Sequence, residues 1–553
     1  MCMNLHSLIA AYCKKSETVS QVLSDMIILS DIQNKQKLSD PTKYIVIDHN
    51  LGIGAVNLGK TAENKISQPF KDEKNGFTVV LDGEIYNRAF LEEYLAEYSI
   101  ETDPDVKLVA HLFKKLISSF DLISAVRKML FMLEGAYVFI ILWHKHNKII
   151  ITRDPIGIKP LYFVETPECI LFSSQRKPLL FQTSENIFYE DIQNFRQDKI
   201  YVVSKSGDVA NFTGEGLKKH QMLDISPNKI IQSLDGSFRF AIERRLPDYD
   251  EKTGILFSGG LDSSILTRYV SEYDVSFNLY TSGLQNSLDL EHAIDAFSTF
   301  DATLKINELS IEDVEAEIPR ILFYIEKPEI MQINIAIPIY FSTLLAKKDD
   351  VHLFFSGQGL DEIFGGYARH VDISQTKGYE ALYEQLWAEF ETFPHVTLER
   401  DDILSKANRS IFRMPFLDQR IVNYAMRIPA SYKIYNTGNT FVRKWILRKL
   451  AESLNLPKKV YKRKKLATQF GSGTAIALGK IAKLNGFDKS LANKFGYKSN
   501  QKMYLDAIAC LLGFPFREEK RKNLLKFMPE KWKEKTSQYL PFTHILQKFS
   551  KHT

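Results

Sequence analysis

The segment GILFSGGLDSS, residues 254–264, decides the fold of the C-terminal half of this 553-residue chain. An apolar strand runs into a pair of glycines, and a helical pattern begins directly after them. Glycines let a backbone approach an anion closely, while hydroxyl groups, the first amides of a helix and the helix dipole all favour negative charge. The segment therefore predicts a phosphate-binding turn between a strand and a helix.

Asp262 lies inside this turn, where a carboxylate repels phosphate unless a cation lies between the two groups. Mg²⁺ is the usual intermediary of this kind. The turn lacks the lysine that follows glycine in a Walker A motif, which disfavours a P-loop NTPase. We therefore predict a nucleotide that is cleaved between its α and β phosphates. The competing interpretation is a glycine-rich turn that binds no ligand.

Further apolar strands that end in small residues follow in the second half of the chain. They are VSFNLYTSGL at 275–284 and VHLFFSGQG at 351–359. Such alternation with helical segments favours a parallel sheet with its ligand crevice at the carboxyl ends of the strands. Beyond about residue 375 the pattern is mostly helical. We predict an α/β domain with a helical C-terminal part.

The first 205 residues have a different pattern, with many short β-rich runs such as YIVID at 44–48 and AYVFIILW at 136–143. Short helical pieces between these runs indicate an α+β domain in which helices cover antiparallel sheets. A polar stretch at 204–220 marks a linker. We predict one domain at 2–205, a linker at 206–228 and a second domain at 229–553.

The bulk composition indicates folded domains without a nucleic-acid or membrane partner. Apolar residues make up 44% of the chain and charged residues 25%, as in ordinary globular proteins. A net charge of +5 over this length is too weak to attract a polyanion. No uninterrupted apolar run approaches membrane-spanning length. We expect a cytoplasmic protein.

The four cysteines are Cys2, Cys13, Cys169 and Cys510, and no two form a CxxC pair. Neither a disulfide nor a zinc site is indicated, so the last three are predicted to be buried thiols. Cys2 differs from them because removal of Met1 places its thiol beside a free α-amino group. That amine titrates near neutral pH and can take the thiol proton, which makes Cys2 a candidate nucleophile.

Three segments of the second domain resemble asparagine synthetases. The SGGxDSS turn by itself resembles the whole ATP-pyrophosphatase superfamily, which includes tRNA-modifying enzymes and synthetases of NAD, GMP and argininosuccinate. FFSGQGLDEIFGGYARH at 354–370 resembles the narrower SGxGxDExFGGY signature of asparagine synthetases. MPFLDQRIVNYA at 414–425 and KRKKLATQFGSG at 462–473 resemble two further segments of that family.

Two segments of the first domain, DGEIYN at 82–87 and RDPIGIKPLYF at 153–163, resemble class II glutamine amidotransferase domains. Together the resemblances imply an Ntn-hydrolase-like αββα sandwich, followed by an α/β ATP-pyrophosphatase domain of the adenine nucleotide α-hydrolase-like type. They imply ATP- and Mg²⁺-dependent synthesis of asparagine from aspartate through β-aspartyl-AMP. The ammonia would come from glutamine or from solution. A homodimer is also compatible with this family.

The resemblance also implies roles for individual residues. The catalytic residues are Cys2, as the nucleophile, and Lys465, as the cation that meets the charge of the departing pyrophosphate. Glutamine binding falls to Asp82, Gly83, Glu84 and Asp103. ATP binding falls to Leu256, Ser258, Gly259, Gly260, Leu261, Asp262, Ser263, Ser264, Ser282, Ser356 and Gly357. The residues beside pyrophosphate and aspartate are Gln358, Asp361 and Glu362. The residues that face Mg²⁺ through the pyrophosphate are Asp262 and Asp361.

The chain departs from the family pattern at several places. The RGPD segment of amidotransferases has no counterpart at 24–40, LGIGAVNLG stands where the family has the arginine that binds the substrate carboxylate, and Met3 stands where glycine is usual. Two further departures bear directly on the chemistry. Asp82 stands where amidotransferases have an oxyanion-hole asparagine, and Gln358 stands where asparagine synthetases have a glutamate. These departures leave open a related ligase for another carboxylate or amine, like a β-lactam synthetase, and a nucleotide-binding regulator without catalysis. Arg463 and Lys464 also remain alternatives to Lys465 as the cation that meets pyrophosphate.

Overall fold

The computed structural model describes residues 6–31, 43–57, 68–98, 104–182, 187–247 and 251–526. The chain forms two compact units. The first comprises residues 1–216, 317–333 and 479–553, and the second comprises residues 217–316 and 334–478. The first unit therefore includes two segments from the second half of the chain. The predicted linker at 206–228 stays a prediction.

Among the described residues, the first unit contains two six-stranded antiparallel sheets. Their strands are β1 His6–Cys13, β2 Lys43–Asp48, β3 Leu51–Asn57, β4 Phe70–Asp72, β5 Phe77–Ile85, β6 Gly135–Trp143, β7 Lys148–Arg153, β8 Tyr162–Glu165, β9 Cys169–Ser173, β10 Gln193–Asn194, β11 Lys199–Ser204 and β12 Val209–Thr213. The strand order is β10-β8-β9-β1-β3-β2 in one sheet and β12-β11-β7-β6-β5-β4 in the other. The first helices are α1 Ser16–Asp31, α2 Arg88–Tyr94, α3 Asp105–Ile117, α4 Leu122–Met132 and α5 Lys177–Leu180.

Strand β6 shows how the two sheets stack between helices. Its side chains alternate in direction, as in any β-strand. Ile140 and Leu142 lie in a core shared by both sheets, whereas Phe139 and Ile141 lie in a second core with apolar residues of α3 and α4. On the opposite side, α1 packs against β1 and β3. The resulting order of helix, sheet, sheet and helix confirms the predicted αββα sandwich.

The prediction of three buried thiols is wrong for Cys13 and Cys169, which form a disulfide. The two residues are 156 positions apart in the chain, so their spacing in sequence gave no sign of a bond. Antiparallel pairing of β1 with β9 places Cys13 directly opposite Cys169. The prediction is correct for Cys510, which is a buried free thiol.

The RDPIGIKP segment forms a turn around one buried carboxylate. Asp154 Oδ1 accepts hydrogen bonds from the backbone amides of Ile156, Gly157 and Ile158 at 3.1, 2.7 and 3.0 Å. Burial raises the pKa of Asp154, while Arg153 and the backbone amides oppose that change. This aspartate therefore organises its own loop, and its place in the motif has a structural reason.

A buried ion pair joins residues 317–333 to the start of helix α5 within the first unit. Lys177 Nζ lies 2.7 Å from Glu326 Oε1, and both side chains are inaccessible to solvent. Glu326 also accepts hydrogen bonds from the backbone amides of Arg176 and Lys177 at 2.6 and 3.2 Å. Burial lowers the pKa of Lys177, and the Glu326 carboxylate opposes that shift.

The second unit is built on a five-stranded sheet. Its strands are β13 Thr253–Leu256, β14 Phe277–Leu284, β15 Thr303–Leu309, β16 Leu353–Phe355 and β17 Ile411–Arg413. Every neighbouring pair in the order β15-β14-β13-β16-β17 is parallel, which confirms the predicted parallel sheet. Two short strands, β18 Ile434–Asn436 and β19 Phe441–Arg443, form an antiparallel hairpin.

Helices follow the strands of this sheet and occupy most of the remaining chain, as predicted. Their bounds are α6 Pro227–Glu243, α7 Leu261–Val270, α8 Leu288–Phe297, α9 Ile311–Ile325, α10 Ile330–Lys348, α11 Leu360–Phe364, α12 Ala368–Thr376, α13 Gly378–Phe393, α14 Glu399–Ala407, α15 Gln419–Met426, α16 Ala430–Lys433, α17 Trp445–Ser453, α18 Lys458–Tyr461, α19 Thr468–Gly471, α20 Thr474–Leu484, α21 Lys489–Lys494, α22 Asn500–Leu511 and α23 Glu518–Lys526. Helix α7 begins directly after the glycine turn at β13, and α11 begins after the glycine turn at β16.

Within the described ranges, α10 is the one helix long and apolar enough to cross a membrane by length and composition. Ile335, Pro338, Ile339 and Ser342 of this helix line a cleft at the edge of the parallel sheet. About 61% of its apolar window is buried inside the protein. These contacts are those of an interior helix that packs against a sheet.

Candidate active site

The two glycine turns lie side by side at the carboxyl edge of the parallel sheet. Strands β13 and β16 are neighbours, with Ile255 paired to Phe355 at their ends. A Cβ atom at Gly357 would lie only 3.3 Å from the backbone of Asp262. Glycine at this position therefore allows the second turn to approach the first closely. The two distant sequence segments form one continuous surface.

A buried lysine, Lys444, holds the acidic residues of the two turns together. Its Nζ atom lies 2.6 Å from Asp262 Oδ2 and 2.7 Å from Asp361 Oδ1. Lys465 Nζ lies 3.0 Å from the other oxygen of Asp361. Burial by itself would raise the pKa of Asp361, but the two ammonium groups outweigh it and hold that pKa well below its usual value.

Lys444 is the main functional residue that the sequence did not indicate. It precedes helix α17 and has a left-handed backbone conformation with φ of 53°. This region is uncommon for residues other than glycine. A basic residue before an amphipathic helix is an ordinary surface pattern, so the sequence offered no reason to single it out. The separation of 182 residues from Asp262 is bridged only by the tertiary fold.

A basic pocket of about 60 Å³ opens beside the first turn. The basic side chains that line it are Arg443, Lys444, Arg448, Arg463, Lys464 and Lys465. Arg463 also donates a 2.5 Å hydrogen bond to the Gly259 carbonyl, which fixes the glycine turn. Asp289 lies on the same wall, where burial raises its pKa to about 6 against the opposing effect of Lys465 and Arg463. The pocket is suited to a multiply charged anion.

A larger open cleft of about 210 Å³ adjoins the basic pocket. The residues predicted to bind ATP that line this cleft are Leu256, Ser258, Asp262, Ser263, Ser282, Ser356 and Gly357. Gly260 and Leu261 line the basic pocket. Gly259 forms the turn itself. Ser264 is fully buried in α7 and lines neither space, so the structure does not bring it to the site.

The residues that line the cleft also include Gln358, Thr397 and Arg400. Gln358 Nε2 donates a 2.7 Å hydrogen bond to Asp401 Oδ2. Arg400 contacts the other oxygen of Asp401 through Nε at 2.9 Å and Nη2 at 2.7 Å. Burial raises the pKa of Asp401, and the Arg400 guanidinium opposes that shift. Neither Arg400 nor Asp401 belongs to a motif that the sequence singled out.

Glu362 and Tyr367 form a second pair in the cleft. Tyr367 Oη donates a 2.5 Å hydrogen bond to Glu362 Oε1. Burial, assisted by the neighbouring Asp361 carboxylate, raises the pKa of Glu362 to about 7. A carboxyl group with such a pKa exchanges protons readily near neutral pH.

The predicted glutamine-binding residues Asp82, Gly83 and Glu84 lie at the end of β5 in the first unit. Asp82 is fully buried and accepts a 3.3 Å hydrogen bond from the backbone amide of His6. Gly83 has φ of 132°, and a Cβ there would meet the Ala136 carbonyl oxygen at 1.9 Å, so the position requires glycine. Cys2 and Asp103 lie outside the described residues.

Asp105 is a buried acid near the end of strand β5 that the sequence did not single out. It accepts a 3.0 Å hydrogen bond from the Ile85 amide and pairs with Arg88 Nη1 at 3.0 Å. Burial raises its pKa to about 6, which these donors oppose. Its contacts fix the backbone that follows Asp82, Gly83 and Glu84.

Within the described ranges, no three His, Cys, Asp or Glu side chains converge on one point as in a protein-only metal cage. The acids that meet at a common cation are Asp262 and Asp361, both bonded to Lys444 Nζ. Two carboxylates suit a hard cation that takes its other ligands from phosphate and water.

Comparison with known proteins gives two matching family models. The glutamine amidotransferase domain matches residues 57–181, and the asparagine synthase model matches residues 233–378 and 370–493. These matches cover both turns of the cleft and the end of strand β5 in the first unit.

Similar proteins carry related names. A putative glutamine-hydrolysing asparagine synthetase of Methanocaldococcus jannaschii is 31% identical over 77% of this chain and 84% of its own length. The asparagine synthetase of Sandersonia aurantiaca is 26% identical over 73% of this chain and 75% of its own. The solved glutamine phosphoribosylpyrophosphate amidotransferase of B. subtilis is 14% identical with a TM-score of 0.30, over 69% of this chain and 92% of its own. That TM-score is too low to carry an argument.

The Lys444 contacts predict a stability effect. Lys444→Met would leave the partly buried Asp262 and Asp361 without their shared cation, so we expect the free energy of unfolding to fall by about 2 kcal/mol. The measurement is urea unfolding at neutral pH. Adding Asp361→Asn should restore part of the loss, and Lys462→Met, at an exposed position, should change little. Equal stability of Lys444→Met and the unmodified protein would show that the ion pairs do not hold the turns.

Proposed function

The chain belongs to the asparagine synthase family, and on that premise we propose that it converts aspartate to asparagine in an ATP-dependent reaction, with glutamine as the nitrogen source. The observation that carries this proposal is the shared contact of Asp262 and Asp361 with Lys444. It brings two distant turns to one point beside a basic pocket. Such an arrangement favours a reaction in which pyrophosphate is the leaving group.

In the first step, an oxygen of the aspartate β-carboxylate attacks the α-phosphorus of ATP. A new oxygen–phosphorus bond forms, and the bond from the α-phosphorus to the bridging oxygen breaks. Pyrophosphate leaves with the electron pair, and β-aspartyl-AMP remains. We assign Lys465 and Lys444 to the charge that develops on the leaving group, because both ammonium groups line the basic pocket.

Asp262 and Asp361 are the proposed residues for Mg²⁺. Both reach the same point from opposite turns, and carboxylate oxygens are ligands that this ion prefers. When bound, Mg²⁺ neutralises charge on the phosphates. The two aspartates and the hydroxyl groups of Ser258 and Ser356, which line the same cleft, are the proposed binding groups for the nucleotide phosphates.

In the second step, ammonia attacks the carbonyl carbon of the acyl-adenylate. A carbon–nitrogen bond forms, the carbon–oxygen bond to AMP breaks, and the attacking nitrogen loses a proton. We assign Glu362 as the group that takes this proton. It lines the cleft, and its pKa of about 7 suits a proton acceptor that works near neutral pH.

Ammonia is proposed to come from glutamine at the end of strand β5 in the first unit. The Cys2 thiolate attacks the amide carbon of glutamine, and the carbon–nitrogen bond breaks as the α-amino group passes the former thiol proton to the nitrogen, which leaves as ammonia. Water later hydrolyses the thioester, which releases glutamate and restores the thiol. The backbone amide of Gly83 is the proposed oxyanion donor. Asp82, which stands at the asparagine position of related domains, accepts a hydrogen bond from the His6 amide. That contact offsets part of its charge near the developing oxyanion.

The proposed substrates are small molecules, and we place their enzyme in the cytoplasm, without a nucleic-acid or membrane partner. The cytoplasm keeps thiols reduced, so the Cys13–Cys169 disulfide is exposed to reduction there. The β1–β9 pairing holds these two residues opposite each other by backbone hydrogen bonds. A homodimer remains a prediction.

Replacement of the nucleophile tests the nitrogen source. Cys2→Ala should abolish asparagine formation with glutamine, because the thiol that accepts the glutamyl group is lost, while ammonia-dependent formation should stay within about threefold of the unmodified enzyme. The measurement is asparagine formed from each donor. Cys510→Ala, which removes the buried free thiol, is the matched control. Equal loss with glutamine and ammonia would contradict the assignment of Cys2.

Replacement of neighbouring lysines tests which cation meets pyrophosphate. Lys465→Met should lower kcat with ammonia by about 100-fold or more, with a much smaller change in KM for ATP, because its charge acts on the departing group. Lys464→Met should lose far less, since Lys464 is exposed and Lys465 contacts Asp361. A larger loss of kcat in Lys464→Met than in Lys465→Met would show that Lys464 is the cation that meets pyrophosphate.

A further inference from the structure

One part of the cleft lining is built differently from the basic pocket. Gln358 and Arg400 belong to this part, and both contact the carboxylate of Asp401, which does not itself line the cleft. Asp401 is 1% exposed and Arg400 is 3% exposed. A buried charged pair of this kind is costly to form, so its presence at a cleft calls for a function.

The local fold fixes Arg400 and Asp401 rigidly. A π-helical segment, Pro394–Leu398, connects α13 to α14, and Arg400 and Asp401 follow in the first turn of α14. π-helical turns are rare and concentrate at functional sites. Thr397, from the same segment, lines the cleft as well. The irregular turn therefore aims this end of α14 at the cleft.

The chemistry of the contacts fixes the orientation of the Gln358 amide. A carboxylate paired with a guanidinium accepts hydrogen bonds and does not donate them, so the Gln358 NH₂ group must face Asp401. The carbonyl oxygen Oε1 then points away from Asp401. Because Gln358 lines the cleft, this oxygen is available to a donor on a ligand.

Resting on the proposed function, we propose that Gln358 Oε1 and Arg400 bind the α-ammonium and α-carboxylate of the amino-acid substrate, and that Asp401 is the positioning residue for both. An amide oxygen accepts from an ammonium group, and a guanidinium pairs with a carboxylate. The substrate's side-chain carboxylate is then left to face the nucleotide across the cleft.

This assignment explains why position 358 carries glutamine where the family signature has glutamate. Gln358 lies 2.7 Å from an oxygen of Asp401. A glutamate in its place would bring two carboxylates to hydrogen-bond distance, where like charges repel strongly in a buried site. Glutamine keeps an acceptor toward the cleft and presents a donor to Asp401. The two residues form a matched pair.

Exchange of the two side-chain types tests this pairing. Gln358→Glu should raise KM for aspartate by about tenfold or more, because repulsion from Asp401 turns the side chain out of position. Asp401→Asn should also raise it. The double variant Gln358→Glu/Asp401→Asn should return KM for aspartate to within about threefold, because a carboxylate again meets an NH₂ group. KM for ATP should change little in all three.

Gln221→Glu is the matched control, because Gln221 is exposed. A single variant that shifts the KM values of aspartate and ATP equally, or a double variant no better than the worse single one, would overturn the inference. Thermal unfolding identifies a variant that fails to fold, and the remaining variants then decide the question. If the unmodified protein forms no AMP with aspartate, the proposed function fails; if it does and Gln358→Glu leaves KM unchanged, only this inference fails.

Discussion

The synthetase half depends on one buried ammonium group held between two carboxylates. Lys444 joins Asp262, on the turn after β13, to Asp361, on the turn after β16. Two carboxylates at this separation would repel each other without a cation between them. The contact therefore fixes the geometry of the site, because it joins the two glycine turns that border both the basic pocket and the cleft. The ammonium groups of Lys444 and Lys465 offset the charge of these two aspartates.

The charged groups around this point are of two kinds. Basic side chains line the small pocket, where phosphates are expected. Gln358 and Arg400 line the adjoining cleft, and both contact the buried Asp401 carboxylate behind them. Glu362 also lines the cleft, and burial beside Asp361 raises its pKa to about 7. These two kinds of surface suit a reaction that expels an anion and holds a zwitterion.

Much of this arrangement was predictable because it follows from local patterns. A strand followed by glycines and a helix predicts a phosphate turn wherever it occurs, and two such units in a parallel sheet place their turns on the same edge. Short β-rich runs such as the one in β6, with helical pieces between them, likewise predicted sheets covered by helices. Lys444, Asp401 and the Cys13–Cys169 bond were not predictable. Each depends on a partner far away in the chain, and no local pattern marks the residue that will find it.

An enzyme whose cleft splits ATP after its first phosphate and transfers AMP to aspartate must release pyrophosphate. We would follow by ³¹P NMR the products that the purified protein forms from ATP, Mg²⁺, aspartate and ammonia. We expect AMP and pyrophosphate in equal amounts, dependent on aspartate and matched by asparagine. Formation of ADP and phosphate would contradict this mechanism.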